Sequence, residues 1–335
     1  MDSCMNNGSN VKFEKPSIIQ ALISGFNTIA SRPGLMILPI LLDLFLWFGP
    51  GWRVNEYFMP VVDGIRDLPL INAGVNSSAV ESYISTWQEL LKNLDLAITL
   101  RTFPIGVPSL LASKPAFTNP LGSSIIFDLK NISQIAVMWF LFLMVGSILG
   151  NLYYKNISQQ VVAIDQEVGL KSFFRTFFQV ILMPLLLILI LLIIAIPFTI
   201  LAALMTLLSP VIGEFFIFFA GLIILWILMP LIFTPHGIFL YKQNLLQAMI
   251  TSINIVRMSM GQTAWFILLS FVLIQGMNYL WQLPSTNSWL LSFGIFGHAF
   301  MLTAVITASF YYFIDATKFA QSILNKNPKP AEIRS

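Results

Sequence analysis

Residues 177–240 read FFQVILMPLLLILILLIIAIPFTILAALMTLLSPVIGEFFIFFAGLIILWILMPLIFTPHGIFL. Between Arg175 and Lys242 the only formally charged side chain is Glu214. About 20 apolar residues span a bilayer core of about 30 Å, so this run is long enough to cross, turn at Ser209-Pro210 and cross back. Its first arm, Val180 to Leu208, measures about 44 Å as a straight helix. That exceeds the hydrocarbon thickness, and tilt or bends at Pro184 and Pro197 would absorb the excess. The second arm runs from Val211 to Gly237. The stretch sets the fold class: an all-α integral membrane protein.

The totals agree. Of 335 residues, 57% are hydrophobic and 10% charged, against about 25% charged in soluble domains. So few charges could not cover a water-facing surface. The net charge of +3 is too small to suggest nucleic acid as a partner, and its distribution along the chain is more informative. The single cysteine, Cys4, has no partner for an internal disulfide or a cysteine metal site. Residues 1–16 are polar and read as a disordered leader, without the apolar core and small-residue cleavage site of a signal peptide.

Working outward, the remaining stretches fall into place. Ile18, Leu22, Phe26 and Ile29 recur at three and four residues behind Pro16-Ser17, giving an amphipathic helix too polar to cross. Arg32-Pro33-Gly34 breaks it. The crossings are expected at about 34–52, 132–154, 180–208, 211–237, 263–281 and 289–314, with 317–335 a soluble tail. Two further amphipathic stretches precede the second and third pairs: SQQVVAIDQEVGLKSFFRTFFQ at 158–179 and KQNLLQAMITSINIVRMSMGQ at 242–262. The large polar insertion 53–130 is too charged to cross. It holds a helix from about Ser78 to Leu100, with Val80, Tyr83, Ile84, Trp87, Leu90, Leu91 and Leu94 on its apolar face. After it comes RTFPIGVPSLLASKPAFTNPLGSS, rich in proline yet apolar. Two readings fit: a cover over the bundle, or a re-entrant loop packed against protein.

Lysines and arginines mark one side. Lys12, Lys15 and Arg32, then Lys155, Lys171 and Arg175, then Lys242 and Arg257, then Lys318, Lys326, Lys329 and Arg334 share it, while the short turns opposite carry none. The expectation is a six-transmembrane-helix bundle of the plasma membrane, with cytoplasmic termini, cytoplasmic amphipathic elbow helices and one large extracytoplasmic loop. The layout divides into three units, 17–155, 156–241 and 242–316, each an elbow, an outgoing crossing and a return. Arg32, Arg175 and Arg257 stand at or near the three membrane junctions, where a cation meets lipid phosphate or helix-end carbonyls. Either the units are a true internal repeat, or they are the connectors any polytopic protein needs.

The pairing of ALISGFNTIASRPGLMILPILLD at 21–43 with FTPHGIFLYKQNLLQAMITSINIVRMSMGQTAWFILLSFVLIQGMNYLW at 233–281 loosely resembles a bacterial membrane group. It includes the membrane domain beside some glycerophosphodiester phosphodiesterases and related six-helix proteins of unknown function. The residues that carry the likeness are Ala248, Ser252, Arg257 and Trp265. The resemblance implies the six-helix fold. It supplies no catalytic residue, because phosphodiesterase chemistry belongs to a separate soluble barrel, and it leaves 53–130 outside.

Ionisable groups inside a membrane are costly and are functional candidates by default. Asp43 falls mid-way through the first crossing and His298 at similar depth in the sixth. The sharp reading pairs them as a proton-holding or proton-relaying couple; the plain reading satisfies each within its own surroundings. Glu214 reads as an interface residue at a helix start, and His236, between Pro235 and Gly237, as a helix-end residue. Gln275 and Asn278 suit interhelical hydrogen bonding. There is no HExxH, CxxC, P-loop or GxSxG, so no catalytic residue, metal or cofactor is expected. The sequons at Asn7, Asn76, Asn131 and Asn156 are patterns expected by chance.

Three functions remain. The first is a non-enzymatic transporter-like or scaffold component that meets lipid, and a protein partner, through its elbows. The second is a sensor or assembly factor using 53–130, and the third a lipid-modifying enzyme built on Asp43, His298 and Glu214. Substrate and oligomeric state are not legible.

Overall fold

A computed structural model describes residues 15–67, 77–113, 117–162 and 169–326. The expected leader through Glu14 with Cys4, the sequons at Asn7 and Asn76, the loop 163–168 and the tail from 327 lie outside the described residues. Five helices are long and apolar enough to cross a membrane: Ile132–Val162, Leu170–Leu208, Pro210–Tyr241, Met260–Trp281 and Leu291–Leu324. A sixth span is completed if Ile18–Ser31 and Pro33–Phe48, bent by 94° at their junction, are counted as one.

In chain order the helices are α1 (Ile18–Ser31), α2 (Ile37–Phe48), α3 (Asn55–Asp63), α4 (Ser77–Asn93), α5 (Ile132–Val162), α6 (Leu170–Leu208), α7 (Pro210–Leu228), α8 (Thr234–Tyr241), α9 (Leu245–Met258), α10 (Met260–Trp281) and α11 (Leu291–Lys326). The centre is α11. Of its most apolar window 61% is buried, against 11% for the windows of α6 and α7. Its inner face alternates small and aromatic residues: Ala299, Thr303, Ala304, Thr307, Ala308, Phe310, Tyr312 and Phe313 are all buried. Small residues let neighbouring backbones approach, and the aromatic rings fill the spaces between: Tyr312 stacks on Phe266 of α10 at 4.5 Å and on Phe233 at 5.7 Å. The apolar hairpin α6–α7 packs chiefly on itself, with most of its leucines, isoleucines and phenylalanines facing outward. It is a wall, not a core.

Several bounds differ from expectation, each for a local reason. Helix α2 ends at Gly49-Pro50 and is only 12 residues long, about 18 Å, so it cannot cross alone. Helix α5 runs on to Val162, and α11 absorbs much of the expected tail. The second elbow is not a separate helix, because no glycine or proline stands between Leu170 and the crossing expected from Val180, and α6 is continuous through Pro184 and Pro197. The return of the second unit is broken at Met229–Leu231, where Pro230 removes a backbone donor.

The elbows do not rest on bilayer alone. Leu22 and Ile29 of the expected apolar face of α1 are buried and Ile18 and Phe26 half-buried, but Ala21 and Gly25 are buried with them, whereas Ile19 and Ile23 beside that face are exposed. Gly25 decides this, since a Cβ there would stand 2.7 Å from the Cβ of Ala308. Helix α9, closed at its start by a capping box between Asn244 and Gln247, turns Ala248 and Ser252 inward in the same way. The Ser252 hydroxyl donates to the Pro230 carbonyl (2.6 Å) and accepts from Phe233 N–H (3.1 Å), repairing the break. Thus α1 lies on α11, the start of α6 touches α5 through Asn151 and the Phe173 carbonyl (3.4 Å), and α9 lies on α8. In the expected three-unit layout, each elbow therefore rests on the second helix of the preceding unit, taken cyclically.

The described residues of the insertion 53–130 form two helices and two small two-stranded pairs. Its main helix stops at Asn93, before the expected Leu100, and buries Ile84 and Leu91 but leaves Tyr83, Trp87 and Leu90 exposed. Strand β1 (Gly51–Arg53) pairs in parallel with β4 (Ile126–Asp128), and β2 (Thr118–Asn119) pairs with β3 (Gly122–Ser123). Helices α3 and α4 are joined by Arg66, which donates to Glu81 (2.7 Å) and to Asp63 (3.0 Å). The Arg66 bond holds the Glu81 carboxyl below its usual 4.5. Its stabilisation is therefore present above pH 4.5 and lost as pH falls through the lower folded value. The pair is exposed and such pairs contribute little, so Glu81→Gln is expected to leave the melting temperature at pH 7 nearly unchanged in a thermal scan.

Candidate functional site

Residues 94–113 leave α4 and enter the bundle. Asp95 closes the gate: its buried carboxylate accepts from Trp52 N–H (3.0 Å) and Ala97 N–H (2.9 Å). Burial, the largest effect, raises its pKa above 3.8, with the two bonds opposing. Its contribution to stability accordingly falls as pH rises through that window and is retained in acid. A short turn of 3-10 helix follows at Leu96–Leu100. Beyond it Pro104 and Pro108 deny the backbone a regular ladder, and local bonds take over, such as Thr102 hydroxyl to the Ile105 carbonyl (2.8 Å).

This segment runs down the side of α5. The backbone at Gly146 meets the Leu100 carbonyl and Thr102; a Cβ at Gly150 would lie 2.7 Å from the Ile105 carbonyl oxygen and 2.9 Å from Gly106 Cα. These glycines are about 21 and 27 Å along α5 from its first residue. The segment therefore meets α5 near its middle instead of lying over its end. Leu96, Leu100, Ile105, Val107, Leu110 and Leu111 are buried along the way.

Asp43 pins the returning limb. It is fully buried in α2. Its Oδ1 accepts from the Ser109 hydroxyl (2.6 Å) and Leu111 N–H (3.1 Å), and its Oδ2 from Leu110 N–H (3.0 Å). The Ser109 hydroxyl in turn accepts from Ala112 N–H (3.0 Å). The carboxylate acts as a remote cap for the turn at Leu111–Ser113, satisfying donors that a buried irregular segment cannot satisfy itself. Asn119 donates to the Trp47 carbonyl (3.3 Å), and the Trp47 indole to the Thr286 carbonyl (2.8 Å).

The other candidates are distributed elsewhere. Buried His298 bonds through Nδ1 to Asn278 Oδ1 (3.1 Å). Asn278 offers an oxygen there, so Nδ1 carries the proton. Among the described residues no hydrogen bond joins Asp43 to His298; Asp43 and His298 Nδ1 have separate partners, His298 Nε2 is buried without one, and Asn278 bonds between α10 and α11. His236 is not at an exposed helix end. It is buried, its Nε2 bonded to Ser309 (2.7 Å) and its ring 4.3 Å from that of Phe310. Glu214 is exposed near the start of α7. Arg32 is the exposed C-cap of α1, and exposed Arg257 lies in the last turn of α9, where the helix dipole favours a cation. Arg175 donates to the Lys242 carbonyl (3.2 Å).

The group that sequence reasoning passed over is Arg101, at the turn between the two limbs. It is exposed, it lies between Leu100 and Thr102 at the level of Gly146, and it acts electrostatically on Asp43, Tyr154 and His298. Among the described residues its guanidinium makes no hydrogen bond or ion pair. Nearby, the Tyr153 hydroxyl donates to Thr303 Oγ1 of α11 (3.0 Å). A signal for this insertion was present: Gly146 and Gly150 stand four apart on one helix face, a spacing that marks close backbone approach. Among the described residues no three ligating side chains gather as a metal centre would need. Compared with known proteins, the chain matches no family model, no curated protein and no solved structure, so the functional reading rests on this geometry.

Proposed function

We propose that the protein is a six-span integral membrane protein of the plasma membrane, with cytoplasmic termini, of the non-enzymatic transporter-like or scaffold class, and that residues 96–113 are a re-entrant segment lining a polar path. The observation that carries this is the depth of Arg101 beside Gly146. Non-helical backbone sits at membrane depth only where protein buries it or where it lines a water-filled cavity. The apolar residues of the segment and the Asp43 bonds meet the first condition; an exposed, unpaired arginine meets the second, since one in hydrocarbon costs about 2.5–3.5 kcal/mol on insertion scales. Interrupted segments of this kind are where transporters hold polar substrates. The lipid-modifying reading finds no convergence of acid and base: Asp43 is committed to Ser109, Leu110 and Leu111, and His298 to Asn278. The sensor or assembly reading draws support from the ordered α3–α4 pair and its exposed Tyr83, Trp87 and Leu90.

Thiol accessibility tests the proposal in a Cys4→Ser background. In intact cells a membrane-impermeant reagent should label Glu89→Cys quickly and Phe103→Cys slowly or not at all. Arg101→Cys should react with a small charged thiosulfonate while Leu100→Cys, at the same depth but buried, does not. Equal rates at positions 89 and 103 would return the segment to the surface and end the re-entrant reading. An inert Arg101→Cys would remove the polar path and leave a scaffold.

A further inference from the structure

Three cations meet at one end of α5. Lys155 belongs to α5, Arg175 to the early turns of α6, and Lys242 to the end of α8. Arg175 donates from Nη2 to the Lys242 carbonyl (3.2 Å), leaving its other N–H groups free of protein partners among the described residues. Lys155 and Lys242 are near enough to repel each other, and the Tyr154 ring, 5.7 Å from that of Phe239, holds α5 against α8 at this level. Among the described residues, ion pairs join Arg66 to Asp63 and Glu81, Lys130 to Glu56, and Lys318 to Asp315. None of the three cations is neutralised in this way.

The backbone adds a second observation. Lys242 has φ 51° and ψ 29°, the left-handed conformation, and is the non-glycine residue with positive φ among those described. It closes α8, with Gln243 N–H returning to the Gly237 carbonyl (3.3 Å). Glycine is the usual occupant of such a helix end, because a Cβ there is strained. The chain instead keeps a lysine and so adds a third positive charge where two already stand. Strain of this kind, kept where like charges gather, points to a function for the lysine.

We propose that Lys155, Arg175 and Lys242 form a binding site for a phosphate group, carried by an anionic lipid headgroup or free in solution. Arginine supplies a forked donor matched to phosphate oxygens, and the lysines supply point charges on either side. The three come from separate helices, so a bound anion would clamp α5, α6 and α8 together at the membrane surface. The site does not depend on the polar path at Arg101.

The test is thermal unfolding of the full chain in neutral detergent, titrated with dioctanoyl phosphatidic acid, dioctanoyl phosphatidylcholine or inorganic phosphate. Phosphatidic acid should raise the melting temperature saturably, and each cation removed should weaken its apparent affinity about fivefold. Lys155→Gln and Arg175→Gln supply two of the variants. Lys242→Gly supplies the third and guards against misfolding: it deletes the charge while relaxing the left-handed residue, so its ligand-free melting temperature should equal or exceed that of the parent. If inorganic phosphate acts as well, the site reads phosphate itself; if phosphatidic acid alone acts, it reads a lipid headgroup. An equal response to phosphatidylcholine, no response to either anion, or an unchanged response in all three variants would overturn the proposal.

Discussion

Asp43→Ala is expected to destabilise the protein by about 3–5 kcal/mol, because it leaves two buried N–H groups and a buried hydroxyl without their charged acceptor. The groups are Leu110 N–H, Leu111 N–H and Ser109 Oγ, all now bonded within 3.1 Å. A loss of that size is a large share of the roughly 5–15 kcal/mol that holds a typical domain together. Thermal unfolding in detergent should show it directly. Asp43→Asn should fall between, since the amide keeps one oxygen for Ser109 or Leu111 but sets an N–H₂ against Leu110 N–H. Ser109→Ala should cost less, about 1–2 kcal/mol, as one charge-assisted bond is lost and Ala112 N–H is orphaned. The loss should also be local: with Asp43→Ala, a thiol at Phe103→Cys should become reachable. A variant within about 1 kcal/mol of the parent, below the cost of even one orphaned group, would mean that the segment is held by something other than this carboxylate.

The same residue shows what sequence alone conveys. The membrane-scale helices were legible because composition and length suffice for them: the Phe177–Leu240 run contains one charge, and the structure gives two long apolar helices there. The position of Asp43 within an apolar stretch was legible too, as a buried group needing partners. Its partners were not, because they are backbone N–H groups of Leu110 and Leu111, 67 and 68 residues away, and every residue type carries such groups. His298 was matched to Asp43 by depth, but depth fixes one coordinate of three, and Asn278 supplies the nearer oxygen. The elbow α1 illustrates a related loss. Counting apolar residues found Leu22 and Ile29, which are buried, but not Gly25 and Ala21, which set the contact with α11. Where lipid is the solvent, apolarity does not separate inside from outside, and small residues mark the inside better. Arg101 went unseen for a similar reason. An arginine in a polar insertion is unremarkable in sequence, and only the approach of the segment to Gly146 gives it meaning.

The second large effect is expected at that approach. In an isolated helix Gly→Ala stabilises by up to about 1 kcal/mol, so helix propensity alone predicts a gain at Gly146, Gly150 and Gly276 alike. Contact geometry predicts opposite signs. Nothing stands within 4 Å of a Cβ built at Gly276 in α10, and Gly276→Ala should keep the gain. At Gly150 the new methyl would meet the Ile105 carbonyl oxygen at 2.7 Å and Gly106 Cα at 2.9 Å, and at Gly146 it would overlap the Leu100 carbonyl. These are backbone atoms and cannot swing aside as a side chain would. Gly150→Ala should therefore cost about 1–3 kcal/mol, the range for overpacking a close contact, and Gly146→Leu more, by expelling the segment. Combination with Asp43→Ala separates a general loss of stability from release of this one segment. If both changes act by detaching residues 96–113, the double variant Asp43→Ala/Gly146→Leu should be little less stable than the worse single one, because the limb can be released only once. Full additivity would show that Asp43 and Gly146 stabilise separate parts of the bundle.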